Sequence, residues 1–587
     1  MLQRNKSSNF SLLPQAHIQR SVFDRSSSHK FTFNVGDLIP FYVDEVLPGS
    51  THQIRTSKMV RLQTPATPFM DDLYLDTYYF FVPNRLVWDN WKEFQGENNN
   101  GHWVPSTEYQ VPQITLPSIG DSSGKSTTFF AINSIADYMG LPAGNIGEAQ
   151  LPLPEGVTLP HAPIELWNNE DITFNALPFR AYCQIVNDWF RDQNLSDPLY
   201  FPTTNTTVNG IYDYPEAPAS SALGNTVVLN RQAFGGRPYR VCKYHDYFTS
   251  ALPSPLKGEA VKVPITNSLE GSSPVDLTES RSQSNHYYIK RDTSGALVTT
   301  TDFTDSNILG ISNYLSDSSA GISINDLRLA FATQAQFERD ARGGTRYTEL
   351  LRSNFGVISP DASLQRSQYL GGNHFRINVN QVVQQAGGAG KLGDVAAFSA
   401  TADSNGDFIQ SFTEHGFIIG VCCARYNHSY QEGAERFWFR KKRFDYYMPA
   451  FANIGEQAIK YNEIYIDPGV DPDASTTSGY KYVPFDSVFG YQEAWSEYRM
   501  KPNRVSGEMR SNCANTLDYW HLADHYGIAN APYLSDAWIR EDPSNVDRVL
   551  TVSHKVSNQI FADFYIENKT TQPIPMYSIP ATLGGNF

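Results

Sequence analysis

The chain has 587 residues, with 61 acidic against 46 basic side chains, a formal charge of −15 and 13% aromatic residues. Hydrophobic residues at 40% and charged residues at 18% exclude a disordered chain and supply ample material for a core, while the acidic balance excludes a protein whose whole surface binds nucleic acid. Length alone suggests about four domains at roughly 150 residues each, a number that the order of the elements reduces to one.

From Met1 to Lys30 the chain is a basic arm: Arg4, Lys6, Arg20, Arg25 and Lys30 face a single acid, Asp24. A cationic segment of this kind can follow a polyanion without a shaped pocket, which makes these five residues nucleic-acid candidates. The N-terminus lacks the apolar core of a signal peptide, so synthesis and residence in a cytoplasm are expected. KFTFNVGDLIPFYVDEVLPGSTHQI then alternates apolar and polar residues between Gly and Pro, and DLYLDTYYFFVPNRLVW is a dense aromatic run closed by Pro83. Both predict strands, the second buried on two faces.

The stretch from Asn98 to Asp171 is rich in Pro, Gly, Ser and Asn and reads as long surface loops around one short helix, INSIADYMG. Within it GDSSGKST, Gly120 to Thr127, resembles a phosphate-binding loop but is one residue short between its glycines, so an exposed turn is expected. FRAYCQIVNDWFRDQNL sets Phe179, Tyr182, Val186, Trp189 and Phe190 on one helical face, with Arg180, Asn187, Asp188 and Arg191 on the other. Thr266 to Gly321 is dominated by Ser, Thr, Asp, Asn and Gly and reads as an insertion decorating the fold. SINDLRLAFATQAQFERDARGG and RYTELLRSNFG, ending at Gly356, predict a helical hairpin.

Strands return with HFRINVNQVV, EHGFIIGVCCARYNHSY, NEIYID and NQIFADFYIENKT. FIIGVCCA, from Phe417 to Ala424, is far shorter than the ~20 residues that cross a bilayer, so no membrane insertion is expected. Its neighbouring Cys422 and Cys423 point to opposite faces of a strand, and all five cysteines read as small buried residues. Strands at both ends, with helices and loops between, predict a mainly β fold: one β-sandwich, residues 31–587, closed by distant parts of the chain.

Few motifs suggest chemistry. HLADH sets His521 and His525 four apart near Asp518 and Asp524, but no third metal ligand can be named. Glu493 and Glu497 fall at helical spacing in YQEAWSEYRM, where a solvated helix face is the commoner arrangement. No catalytic residue, cofactor or metal is assigned. RFWFRKKRF interleaves five cations, Arg436, Arg440, Lys441, Lys442 and Arg443, with four aromatics. That composition suits single-stranded nucleic acid, and equally an edge strand or contacts to an acidic neighbouring subunit.

NALPFRAYCQIVNDWFRDQNL, KYHDYFTSALPSPLKG, FERDARGGTRYTELLRSNFGVISPDASLQRSQYLGG, FDYYMPAFANIGEQAI and FGYQEAWSEYRMKPNRVSGEMR, together with FNVGDLIPFYVDEVLPG and FFVPNRLVWDNWKEF, cover most of the chain. Taken in chain order, which is the family's order, they resemble the major capsid proteins of the Microviridae, most closely the gokushovirus branch. The resemblance implies an eight-stranded antiparallel jelly roll with large loop and helical insertions, about sixty copies of which form a T=1 icosahedral shell around a single-stranded DNA genome. It implies assembly in a host bacterial cytoplasm, residence in the virion, a small basic DNA-packaging protein as partner, and contact with a host cell-surface receptor through an insertion, for which Thr266 to Gly321 is the best candidate. About sixty copies at −15 each total about −900, so the shell cannot neutralise packed DNA by itself. The rival readings are a carbohydrate-binding jelly-roll module, on Trp88, Trp91 and Trp103, and a hydrolase using carboxylate pairs; neither explains the ordered blocks.

Overall fold

A computed structural model describes residues 19–97, 108–116, 130–144, 172–205, 208–209, 235–258, 276–278, 286–291, 297–300, 324–342, 347–358, 360–383, 395–466, 487–526 and 532–577. The chain divides into two compact units, Met1–Pro255 with Thr345–Phe587, and Leu256–Gly344.

The first unit is built on two antiparallel sheets. In chain order its main strands are β1 (Ser21–Asp24), β2 (Ser27–Phe33), β3 (Ile39–Val46), β4 (Thr51–Leu62), β5 (Leu73–Pro83), β6 (Gln368–Ile377), β7 (Thr401–Ser411), β8 (Gly416–Tyr426) and β9 (Ile560–Gln572). One sheet runs β1–β9–β4–β7, with β2 also paired to β9, and the other runs β6–β5–β8–β3. The two chain ends meet in the first sheet, where Phe33 of β2 is paired with Ile560 of β9 and Leu62 of β4 faces the same residue from the other side.

Period-two patterning explains which faces are buried. In β4 the buried residues are His52, Ile54, Thr56, Lys58, Val60 and Leu62, and in β9 they are Ile560, Ala562, Phe564, Ile566, Asn568 and Thr570. Strand β5 is buried on both faces, as its dense aromatic run predicts, and so is β8. Ile418, Cys422 and Ala424 join the core between the sheets, while Phe417, Ile419, Val421 and Cys423 join a second core on the outer face. The adjacent cysteines therefore do point in opposite directions.

That second core is roofed by α1 (Leu177–Ile185), which continues through a π turn, Val186–Phe190. The amphipathic pattern is right about the apolar face and wrong about Arg180. This arginine is fully buried, and its Nη1 donates to the carbonyls of Val87 and Thr204, each at 3.2 Å. Burial lowers its pKa to about 10. The helix is covered on both sides, so its polar residues had to find protein acceptors instead of water.

The stretch expected to be surface loop also contributes here: the strand Gln113–Leu116 pairs with Ile172–Asn175, and Ile114 belongs to the second core. The helix in INSIADYMG is a single turn, Ile135–Tyr138, capped by Ser134. Helices α2 (Ile324–Arg342) and α3 (Tyr347–Phe355) form where their periodicity predicts, and Gly356 adopts a left-handed conformation just past α3. In the second unit, Asp276–Thr278, His286–Arg291 and Leu297–Thr300 make a three-stranded antiparallel sheet.

Two sequence readings fail. NEIYID is not a strand but a 3-10 turn, Tyr461–Glu463, in which the Glu463 carboxylate accepts from the Lys460 backbone N–H at 2.9 Å. YQEAWSEYRM is not one helix: Tyr491 to Glu493 close the strand Val488–Glu493, paired with Glu456–Lys460, Trp495 takes a left-handed conformation, and only a 3-10 turn, Ser496–Tyr498, follows it. The Trp495 indole donates to the Phe451 carbonyl at 2.8 Å, a tertiary bond that local propensity does not contain.

Candidate assembly and nucleic-acid surfaces

The five N-terminal cations separate. Arg4 and Lys6 lie outside the described residues. Arg20 is exposed, its guanidinium lying beside Gly49. Neither Arg25 nor Lys30 lies on a free arm: Arg25 links β1 to β2, its backbone N–H donating to the Asn568 carbonyl at 2.9 Å, and Lys30 lies within β2, whose alternation buries Phe31 and Phe33. Arg25 grips Asp44 with two bonds, Nη1 to Oδ2 at 2.8 Å and Nη2 to Oδ1 at 2.6 Å, and Asp44 also accepts from Tyr42 and Asn568. Lys30 is exposed, with Asp563 across the strand pair at 3.6 Å.

RFWFRKKRF forms two 3-10 turns, Arg436–Phe439 and Arg443–Asp445, with no strand. The first turn shares a cavity with Tyr247, Phe248 and Tyr430 of a small satellite core that also holds Ile459, Tyr461 and Phe489. Its five cations divide sharply. Arg436 pairs with Glu463 at 3.2 Å and donates to the Ala458 carbonyl; Arg440 pairs with Glu497 at 2.8 Å and lies over the Tyr498 ring. Gly433 lets Glu463 come this close, since a Cβ there would meet the Glu463 carbonyl oxygen at 2.1 Å. Lys441, Lys442 and Arg443 are exposed and, among the described residues, make no ion pair. Their backbone is held instead: the Lys441 and Lys442 N–H groups donate to Asp445 at 2.8 and 2.7 Å, which lowers the Asp445 pKa.

Around these three cations the rings are exposed, Trp438 at 70%, Phe444 at 63%, Tyr446 at 53% and Tyr498 at 57%. A cavity of about 620 Å³ opens beside Trp438, lined also by Arg436, Tyr498 and Arg504.

Other sequence candidates do not assemble into sites. Trp88 is fully buried and donates to Asn205 at 2.5 Å, while Trp91 packs edge-on against it, so neither offers a free sugar-stacking face. Trp103 and the Gly120 to Thr127 loop lie outside the described residues. His521 and His525 are in extended chain and part ways: His521 Nε2 donates to the Met509 carbonyl and His525 bonds Glu432. Glu493 pairs with Arg499, and Glu497 with Arg440. No His, Cys, Asp and Glu cluster fit for a metal occurs among the described residues.

Sequence reasoning missed one buried charge network. His428, just beyond β8, bonds Asp524 through Nδ1 at 2.8 Å and Glu541 through Nε2 at 3.1 Å. Lys243 Nζ donates to the other Asp524 oxygen at 3.1 Å, as does Tyr526 at 2.9 Å. Burial disfavours the charged imidazole, but the two carboxylates outweigh it and push His428 up to about 9. Burial likewise opposes the Asp524 carboxylate, yet His428 and Lys243 hold it well below the usual range. Two cations thus meet two anions with no water-facing side. Gly36, at φ +87°, makes room for this: a Cβ there would lie 2.6 Å from that of Glu541. The four charges come from distant segments, and only a His amid polar sequence hinted at them.

Comparison with known proteins agrees with the ordered sequence blocks. A family model described as capsid protein (F protein) matches residues 11–152 and 165–582. The chain is 35% identical to capsid protein VP1 of Bdellovibrio phage phiMH2K, covering 99% of each chain. It is 37% identical to capsid protein VP1 of Spiroplasma virus 4 and 34% identical to that of Chlamydia phage 1, in both cases over 97% of each chain.

Proposed function

The chain belongs to the phage capsid protein (F protein) family, with relatives in the Microviridae, and is a structural major capsid protein of a small phage and not an enzyme; from that premise we propose how it builds its shell. Its sandwich is an eight-stranded jelly roll in which β1 and β2 count as one interrupted strand. Supporting this, the order β1/β2–β9–β4–β7 in one sheet and β6–β5–β8–β3 in the other makes the chain cross between sheets at every step except β5 to β6. About sixty copies close into a T=1 icosahedral shell around circular single-stranded DNA.

Arg4, Lys6 and Arg20 face the genome, supplemented by a small basic packaging protein, because the acidic shell does not neutralise DNA by itself. Arg25 and Lys30 serve this role less well, one being held by Asp44 and the other facing Asp563. The 436–443 stretch supports nucleic-acid contact less well than its composition suggests, since Arg436 and Arg440 are engaged by Glu463 and Glu497. The stretch from Thr266 to Gly321 lies within the separately compact unit Leu256–Gly344 and presents the host-contact surface. Shell assembly takes place in the host cytoplasm and the product resides in the virion.

The observation that carries this reading is similarity over nearly the full length of three capsid proteins. Analytical ultracentrifugation of the purified chain, with and without single-stranded DNA, tests it. Closed particles of about sixty copies are expected; a monomer under every condition would overturn the shell, and Arg4, Lys6 and Arg20 all changed to Gln with no loss of packaged DNA would overturn the inward arm.

A further inference from the structure

We infer that the surface around Trp438 and Phe444 docks onto an acidic face of a neighbouring copy of this chain, in a contact where the two copies use different surfaces. The inference rests on the capsid reading and goes beyond it by naming the patch and its geometry.

Single exposed apolar residues are ordinary, but contiguous exposed rings mark an interaction site. Here Trp438, Phe444, Tyr446 and Tyr498 are more than half exposed on turns held rigidly from below. Arg436 and Arg440 tie those turns to Glu463 and Glu497, Phe437 packs on Trp438 with ring centroids 4.8 Å apart, and Phe444 meets Phe451 edge-on at 5.7 Å. Rigid aromatic anchors flanked by arginine are the composition of energetically dominant interface centres. The cavity of about 620 Å³ beside Trp438 gives a partner side chain somewhere to enter.

Charge selects the occupant. Lys441, Lys442 and Arg443 border the rings and, among the described residues, make no ion pair; they belong to a chain whose total charge is −15. A second copy is therefore an anionic partner on average, and oppositely charged patches favour its approach. A patch meeting its own image across a twofold axis would press three cations against three cations, so the contact is head-to-tail, the kind that rotational rings in a closed shell require. Bound DNA is the alternative anion, and the experiment separates the two.

Two variants are compared with wild type: Trp438→Ser with Phe444→Ser, and Lys441→Glu with Lys442→Glu and Arg443→Glu. Circular dichroism establishes that each still folds, and ultracentrifugation measures particle yield with and without single-stranded DNA. The ring variant is expected to lose particle yield at least about tenfold in both conditions. The charge-reversed variant is expected to lose yield most at low salt. Wild-type yield of empty particles with loss of DNA content alone would overturn the proposal in favour of a genome contact, and wild-type behaviour in every respect would overturn it outright. Absence of particles even from the wild-type chain would strike the capsid reading itself, and this proposal with it.

Discussion

Within one short stretch, residues 428–447, the protein treats charge in two opposite ways. At His428 every charge is matched: Asp524 and Glu541 oppose the imidazolium and Lys243, and the group is buried. At Lys441, Lys442 and Arg443 the charged side-chain ends make no ion pair among the described residues, Asp445 accepting from backbone N–H groups instead, and the neighbouring rings face outward. A buried charge left unmatched would cost several kcal/mol, so the first arrangement is one that a folded subunit needs. An exposed cation is hydrated at little cost, so the second can wait for a partner outside the subunit. The first region should therefore govern subunit stability, and the second should govern association.

The strongest way to break this contrast is to remove one member of the buried network. Glu541→Ala should destabilise the subunit by about 3–5 kcal/mol, because it strands His428 and Lys243 against a single carboxylate. A loss of unfolding free energy, from urea titration, of less than a quarter of that would mean that the cluster is not structural.

The next effect is pH dependence. The His428 pKa is about 9 in the folded chain, above its ordinary value of 6.5. Its contribution is therefore complete below about pH 6.5 and is lost as pH rises through 9, and the shift corresponds to about 3 kcal/mol. Asp524 has the opposite sign: its lowered pKa contributes stability that is present at neutral pH and lost as acid protonates it. Denaturant titrations from pH 6 to 10 should show an alkaline decline in wild type that flattens in His428→Asn; a decline of equal size in both would assign it to other groups.

Between the extremes lies Arg25, whose guanidinium is partly exposed while Asp44 is buried. Arg25→Gln should cost about 1–2 kcal/mol, measured by the same titration, since Tyr42 and Asn568 continue to donate to Asp44. The smallest effect belongs to the outer surface. Trp438→Ser with Phe444→Ser should alter subunit stability by no more than about 0.5 kcal/mol, as substitutions away from packed features do. A loss as large as that of Glu541→Ala would show that these rings are part of the subunit core and would erase the contrast.

How far the sequence reaches differs between these regions. Alternation in NQIFADFYIENKT names the inward face of β9 as far as Ile566, whereas most of β4 goes unmarked because His52, Thr56 and Lys58 on its inward face are polar. The failed readings have different causes: in NEIYID the Glu463 side chain caps the backbone three residues upstream and closes a turn, whereas in YQEAWSEYRM Trp495 bonds the distant Phe451 carbonyl. Among the candidate residues, composition picks out the cations at 436–443 but does not separate the engaged pair from the exposed three.

What the amino-acid order determined by itself is what depends on near neighbours: strand alternation, the two-sided burial of FIIGVCCA, the amphipathic face of α1, the basic character of the N-terminus and the family blocks. These follow from periods of two and 3.6 residues, or from runs of residue types, and both are written locally. Only the tertiary structure decided that Arg180 is buried, that Arg25 belongs to Asp44, that His428 is charged, and that Arg436 and Arg440 turn inward while Lys441, Lys442 and Arg443 do not. Each of those outcomes depends on which distant carboxylate or carbonyl arrives beside a cation once water is excluded, and residue order along the chain does not carry that distance.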